Sequence, residues 1–142
     1  MDEQMILIIK DFLIKKVDPD FIMLFGSYAT GDNHPSSDVD LAFYKSDHGL
    51  SAYDVFILAG ELASLIKIDV DLIDLMNAST VFKMQIFEKG NSIYTKDFYS
   101  FNIYEMTVFR MYLDLNEKRN EVLKEIHESG SVYGTRLRYR EK

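Results

Sequence analysis

Apolar residues recur along this chain at two different spacings, which separate helices from strands. Near the start, apolar side chains such as Ile9 and Leu13 recur at helical intervals after Asp2, which can cap a helix. Ser51 and Ser79 stand before later stretches of helical spacing in the same way. The pattern predicts four helices, over residues 2–16, 51–66, 79–89 and 103–128.

Shorter apolar stretches have the length and alternation of strands. They predict strands over residues 21–25, 38–44 and 68–75, and a short edge strand at 93–94. The link between the first two strands is too short for a crossover helix, so these strands should pair antiparallel or in mixed fashion. The fold expected is α+β, a small mixed β-sheet with helices packed mainly on one face and a long C-terminal helix. Residues 1–142 should form a single domain, with a core at 1–97 and the C-terminal helix and tail at 98–142.

Composition and charge narrow the class of protein. With 47% hydrophobic and 27% charged residues the chain resembles a soluble globular protein, and its apolar runs are too short to span a membrane. The absence of cysteine excludes disulfides and cysteine-ligated zinc, and the N-terminus lacks the features of a signal peptide, so a cytoplasmic protein is expected.

The net charge of −7 is unevenly distributed. An acidic body repels nucleic-acid backbones, so direct nucleic-acid binding is not expected. Arg136, Arg138 and Arg140 make a short basic tail, either a solvated terminus or a contact for an acidic partner or for nucleotide phosphates.

Gly26 and Ser27 follow the first predicted strand directly. A glycine at the end of a buried strand lets another group approach the backbone closely. Ser27 adds a hydroxyl and a backbone N–H, and a helical turn beginning here would direct its positive end at an anion. Gly-Ser alone is most often an ordinary turn.

Asp38 and Asp40 begin the second strand. Residues i and i+2 of a strand point the same way, so the two carboxylates share one face. They repel unless a cation lies between them, and Mg²⁺ prefers such oxygen ligands. On the third strand Asp69 and Asp71 share one face and Asp74 lies on the other, so Asp69 or Asp71 could meet the first pair.

These residues form a joint pattern, with Gly-Ser, ten residues, then Asp-x-Asp. The segments 26–31 and 37–41 resemble the signature of the DNA-polymerase-β-like nucleotidyltransferase superfamily. Within it the chain resembles the minimal nucleotidyltransferases (MNT), the antitoxin half of HEPN/MNT toxin–antitoxin pairs. The resemblance runs over residues 21–94 and implies a polymerase-β palm-like fold.

The resemblance implies a site and a reaction. Asp38, Asp40 and Asp71 would be the catalytic and metal-binding residues, holding two Mg²⁺ ions about 4 Å apart. Gly26 and Ser27 would bind the phosphates of ATP. The implied activity is Mg-dependent transfer of AMP from ATP to a tyrosine hydroxyl of a HEPN ribonuclease toxin, its expected partner in a hetero-oligomer.

One residue departs from the family pattern, since Thr30 stands where the family often has arginine. The loss of that charge could weaken nucleotide binding. Two other functions stay open beside this one: a small-molecule nucleotidyltransferase of the antibiotic-modifying kind, and a catalytically silent antitoxin that acts by binding alone. The long C-terminal helix could pack on its own core or dock a partner.

Overall fold

The computed structural model of the protein describes residues 1–129, and the arginines of the basic tail lie outside that range. The chain divides into two compact units, Met1–Val108 and Phe109–Lys142. In the described range the α-helices are α1 Glu3–Lys16, α2 Ser27–Thr30, α3 Ala52–Ile66, α4 Thr80–Lys89 and α5 Phe98–Ser129, and a short 3-10 helix spans Leu75–Asn77. The strands are β1 Phe21–Phe25, β2 Val39–Tyr44, β3 Val70–Asp74 and β4 Asn91–Thr95.

Three helices begin where the sequence predicts, each behind a polar capping side chain. The Asp2 carboxylate accepts a hydrogen bond of 2.8 Å from the Met5 N–H. Ser51 caps α3 and Ser79 caps α4, each accepting a backbone N–H three residues further on. Each cap satisfies a donor that the first helical turn leaves free, which fixes where the helix starts.

The four strands form one mixed sheet in the order β3-β2-β1-β4. The strand β1 pairs antiparallel with β2 and with β4, which confirms the pairing expected from the short link. The strand β3 instead lies parallel to β2, because α3 connects them as a crossover helix. This places the end of β1, the start of β2 and the start of β3 side by side at one end of the sheet.

Apolar side chains cover both faces of the sheet. On one face α1 and α3 bury the alternate residues of β1 and β2, in a cluster that includes Ile9, Leu13, Leu62, Ile22 and Leu41. On the other face α4 and the first part of α5 pack in a second cluster that includes Ile86, Phe87, Val108, Phe21 and Met23. The prediction of helices mainly on one face is thus corrected to a helical layer on each face. The mixed sheet itself is as predicted.

The helix α5 begins five residues before the predicted start at 103. Asp97 explains the difference, because its carboxylate accepts hydrogen bonds from the Tyr99 N–H at 3.2 Å and the Ser100 hydroxyl at 2.8 Å. Within the first unit, α5 contributes Val108 to the core. None of the helices within residues 1–129 has both the length and the apolarity needed to cross a bilayer.

Candidate active site

Three of the predicted site residues come together where β1, β2 and β3 meet. Asp40 is the Cα partner of Phe25 on β1 and of Asp71 on β3. Asp38 lies two residues before Asp40, at the entry to β2. Asp38 and Asp71 are exposed and Asp40 is half-buried, so the cluster faces solvent at the end of the sheet.

The alternation of side chains explains why the carboxylates share a face. Val39 and Leu41 are fully buried in the cluster beneath α1 and α3, and Leu72 joins them from β3. Residues between them must then point to the opposite face of the sheet. Asp40 and Asp71 are such residues, so the apolar positions of both strands dictate where the acids project.

Gly26 lies directly against the Asp40 carboxylate. A Cβ at this position would overlap the Asp40 Oδ2 and lie 2.9 Å from Cγ. Gly26 also has φ of 70° and ψ of −156°, a conformation that only glycine adopts readily. The sequence predicts a close approach at Gly26, and the group that approaches it is the carboxylate of Asp40. The single turn of α2 begins at the next residue, Ser27.

The electrostatic environment of Asp40 favours the binding of a cation. Burial raises the pKa of Asp40 above its ordinary value, and the nearby carboxylates of Asp71 and Asp38 raise that pKa further. Both effects disfavour the ionised form. A positive ion at this position would relieve the repulsion, whereas another anion would increase it.

The donor chemistry suits a hard divalent cation, because carboxylate oxygens are the ligands that Mg²⁺ prefers. As the side chains stand, however, no three His, Cys, Asp or Glu groups within residues 1–129 converge closely enough to hold an ion. Asp40 and Asp71 are nevertheless Cα partners on adjacent strands, which places their two carboxylates on neighbouring positions of the same sheet face.

The other two aspartates of β3 have different surroundings. Asp69 is exposed just before the strand, and its carbonyl oxygen accepts the Val39 N–H at 2.9 Å. Asp74 is 6% exposed and accepts hydrogen bonds from the Leu50 N–H at 2.8 Å and the Met76 N–H at 3.0 Å. Its carboxylate thus caps the 3-10 helix Leu75–Asn77 and holds the segment before α3 through Leu50, a structural role that the sequence does not signal.

Two polar contacts around α2 are also absent from the sequence prediction. The Thr30 hydroxyl, at the position of the family arginine, lies 3.0 Å from the Asp32 Oδ2. The Asn91 side chain donates a hydrogen bond of 3.4 Å to the Ala29 carbonyl, which ties α2 to β4. Asn91 has no distinguishing spacing in the sequence, so only the fold identifies it.

A cavity of about 630 Å³ lies at the opposite end of β1 and β2. Its lining includes Phe21, Tyr44 and Tyr104, and none of the site carboxylates. The Tyr104 hydroxyl is buried without a hydrogen-bonding partner among the described residues, and burial raises its pKa. This cavity is therefore separate from the carboxylate cluster, whose Asp38 and Asp71 side chains are exposed to solvent.

Comparison with known proteins identifies relatives of this arrangement. The family model described as Polymerase beta, Nucleotidyltransferase matches residues 8–99, a range that contains every residue of the cluster. The chain is also 33% identical over 105 residues to the protein adenylyltransferase MntA of Shewanella oneidensis, covering 74% of each protein.

Solved structures give the same picture. A chain in a crystal structure of a toxin–antitoxin with AMP-PNP superposes with a TM-score of 0.77 at 30% identity, covering 84% of this chain and 96% of that one. A chain of the tri-AMPylated Shewanella oneidensis HEPN toxin in complex with MNT antitoxin gives a TM-score of 0.73 at 28% identity. That match covers 88% of this chain and 98% of the other.

Proposed function

This chain belongs to the Polymerase beta nucleotidyltransferase family, and on that premise we propose that it is an antitoxin that transfers AMP from ATP to a HEPN-type toxin. The acceptor is a tyrosine hydroxyl of the toxin, and the modification neutralises the toxin's ribonuclease activity. The cytoplasmic location expected from the sequence is part of this proposal. The observation that carries the proposal is the juxtaposition of Gly26, Asp40 and Asp71 at one end of the sheet.

Asp38, Asp40 and Asp71 would hold Mg²⁺, two ions being expected. Bound there, Mg²⁺ would neutralise phosphate charge and favour ionisation of the acceptor hydroxyl. The raised pKa of Asp40 agrees with this assignment, since burial and, after it, the carboxylates of Asp71 and Asp38 disfavour its ionised form, and a bound cation would offset both effects. Asp71 is preferred to Asp69 as the third carboxylate because Asp71 alone of the two is the Cα partner of Asp40.

Gly26 and Ser27 would receive the phosphates of ATP. The first turn of a helix leaves backbone N–H groups without intrahelical acceptors, and α2 places those of Ser27 and its neighbour next to the carboxylates. In the transfer, the tyrosine hydroxyl releases its proton to solvent and its oxygen bonds to the α-phosphorus. The bond from that phosphorus to the bridging oxygen breaks, and pyrophosphate leaves with the electron pair. Positioning and charge neutralisation supply the acceleration.

The openness of the site fits a protein acceptor. Asp38 and Asp71 are exposed to solvent, so this end of the sheet is accessible to the surface of a second protein. An enzyme for a small acceptor needs a pocket that surrounds it. Here a partner surface would complete the acceptor side.

The proposal is tested by incubating the chain with ATP, Mg²⁺ and the HEPN-type toxin, and by measuring the intact mass of the toxin. We expect the toxin to gain the mass of one or more AMP groups. Asp40→Asn should abolish the gain. Asp69→Asn is the matched control, because Asp69 is an exposed aspartate of the same strand end out of register with Asp40. An unmodified toxin, or equal loss in both variants, would contradict the proposal.

One observation favours the second candidate, a silent antitoxin that acts by binding alone. Thr30 supplies no positive charge at the family's arginine position, and its hydroxyl is engaged by Asp32. Calorimetric titration with ATP and Mg²⁺ separates the two candidates. A silent antitoxin would bind the toxin in the same experiment while showing no heat with the nucleotide.

A further inference from the structure

The part of α5 in the second unit exposes an apolar seam. From residue 109 to residue 127 every side chain is exposed or half-buried. Leu115 and Val122 remain 40% and 51% exposed. Most helical stability in proteins comes from packing an apolar face, so an apolar stripe left this exposed is suited to packing against another helix.

The spacing of the seam is that of a coiled coil. Tyr112, Leu115, Arg119, Val122 and Ile126 follow one another at alternating intervals of three and four residues. Such a repeat keeps one narrow stripe on a single side of the helix and is suited to knobs-into-holes packing with another helix. The side of the helix opposite the seam is rich in charged residues, including Asp114, Glu117, Glu121 and Lys124.

The charges in the middle of the seam decide which helix fits. Arg119 occupies a seam position, and Lys118 flanks it. Two copies paired in register, parallel or antiparallel about the middle of the seam, would bring their Arg119 side chains together. Like charges in the core of a pair disfavour that pairing, and an acidic residue on a different helix favours the alternative.

We propose that this seam, residues 112–126 of α5, docks an amphipathic helix of the toxin that carries an acidic residue opposite Arg119. The proposal rests on the proposed function for the identity of the partner. It is supported by the extent of the structural similarity to chains from toxin–antitoxin complexes. That similarity covers 84% of this chain, more than residues 1–108 supply, so it continues into the second unit.

Leucines on two sides of the same helix provide a matched test. Leu115 lies on the seam, whereas Leu113, 50% exposed, lies away from it. Leu115→Glu should weaken binding of the toxin at least tenfold by calorimetry, and Leu113→Glu should change it less than threefold. Both variants should keep the helical circular dichroism of the parent, because Leu and Glu have similar helix propensity. Both should also bind ATP with Mg²⁺ as the parent does.

The outcomes separate this proposal from the proposed function. Equal toxin affinities for the two variants would overturn the docking seam even if the toxin is still modified with AMP. Light scattering tests whether a second copy occupies the seam instead. A dimeric parent chain that becomes monomeric in the Leu115→Glu variant would overturn the docking of a toxin helix. A parent that binds the toxin through Leu115 but transfers no AMP would overturn the proposed activity and leave the seam in place.

Discussion

Replacing Gly26 with alanine tests the contact on which the candidate site is built. The added Cβ would overlap the Asp40 Oδ2, and the backbone at φ 70° and ψ −156° disfavours any side chain. The backbone conformation costs about 1–3 kcal/mol, and overpacking against the carboxylate adds a similar amount. We therefore expect Gly26→Ala to lower the free energy of unfolding by about 2–6 kcal/mol.

Gly31→Ala is the matched control. Gly31 also has a positive φ, 81°, but a Cβ there would meet nothing within 4 Å. Only the backbone cost of about 1–2 kcal/mol applies to it. The difference between the two variants isolates the close approach of Asp40 from the general cost of a left-handed residue.

Two assays read the outcome. Thermal denaturation should place the Tm of Gly26→Ala roughly 8 °C or more below the parent, with a smaller decrease for Gly31→Ala. Transfer of AMP to the toxin should fall about 100-fold in Gly26→Ala, since a displacement of about 1 Å has that effect on a positioned group. Gly31→Ala should transfer within about threefold of the parent. If Gly26→Ala and Gly31→Ala have the same Tm and transfer AMP at the same rate, the close contact between Gly26 and Asp40 does not have the importance argued for it.

Three further substitutions have defined outcomes. Asp40→Asn should raise the free energy of unfolding measured in urea at neutral pH. The pKa of Asp40 is raised in the folded protein, so its ionisation lowers stability at that pH. The gain should disappear as the pH falls below the ordinary pKa of 3.8. Asp74→Ala should lose about 2–4 kcal/mol by the same measurement, since the Leu50 and Met76 N–H groups lose their acceptor. Tyr104→Phe should leave the Tm unchanged or raise it, because its buried hydroxyl has no partner within the described residues; a lower Tm would mean that the hydroxyl is satisfied.

The sequence predicts the elements well because their signals are local. Ser51 and Ser79 set helix starts by bonding a donor three residues away, and Phe21–Phe25 is an uninterrupted apolar run of strand length. The predicted start of α5 at residue 103 is five residues too late. Asp97 caps the helix, but the residues that follow it have too weak a helical periodicity to mark the start in the sequence. Local chemistry therefore locates most boundaries to within a few residues.

Properties that depend on contacts between distant elements could not be obtained in this way. Periodicity shows that a helix has an apolar face but not which face of the sheet receives it, so the layer formed by α4 and α5 was not predicted. The sequence also leaves open whether Asp69 or Asp71 meets Asp40, because that depends on the register of two strands. The pressing of Asp40 against Gly26 depends on the same long-range pairing.

The parallel ladder between β2 and β3 makes the alignment of the acids a property of the main chain. A shift of β3 by one residue would turn Asp71 into the apolar layer and bring Val70 or Leu72 out toward solvent. An insertion or deletion in the short connection after α3 should consequently be far more damaging than a conservative replacement on the helix itself. The length of that connector is thus as much a determinant of chemistry as any acidic side chain.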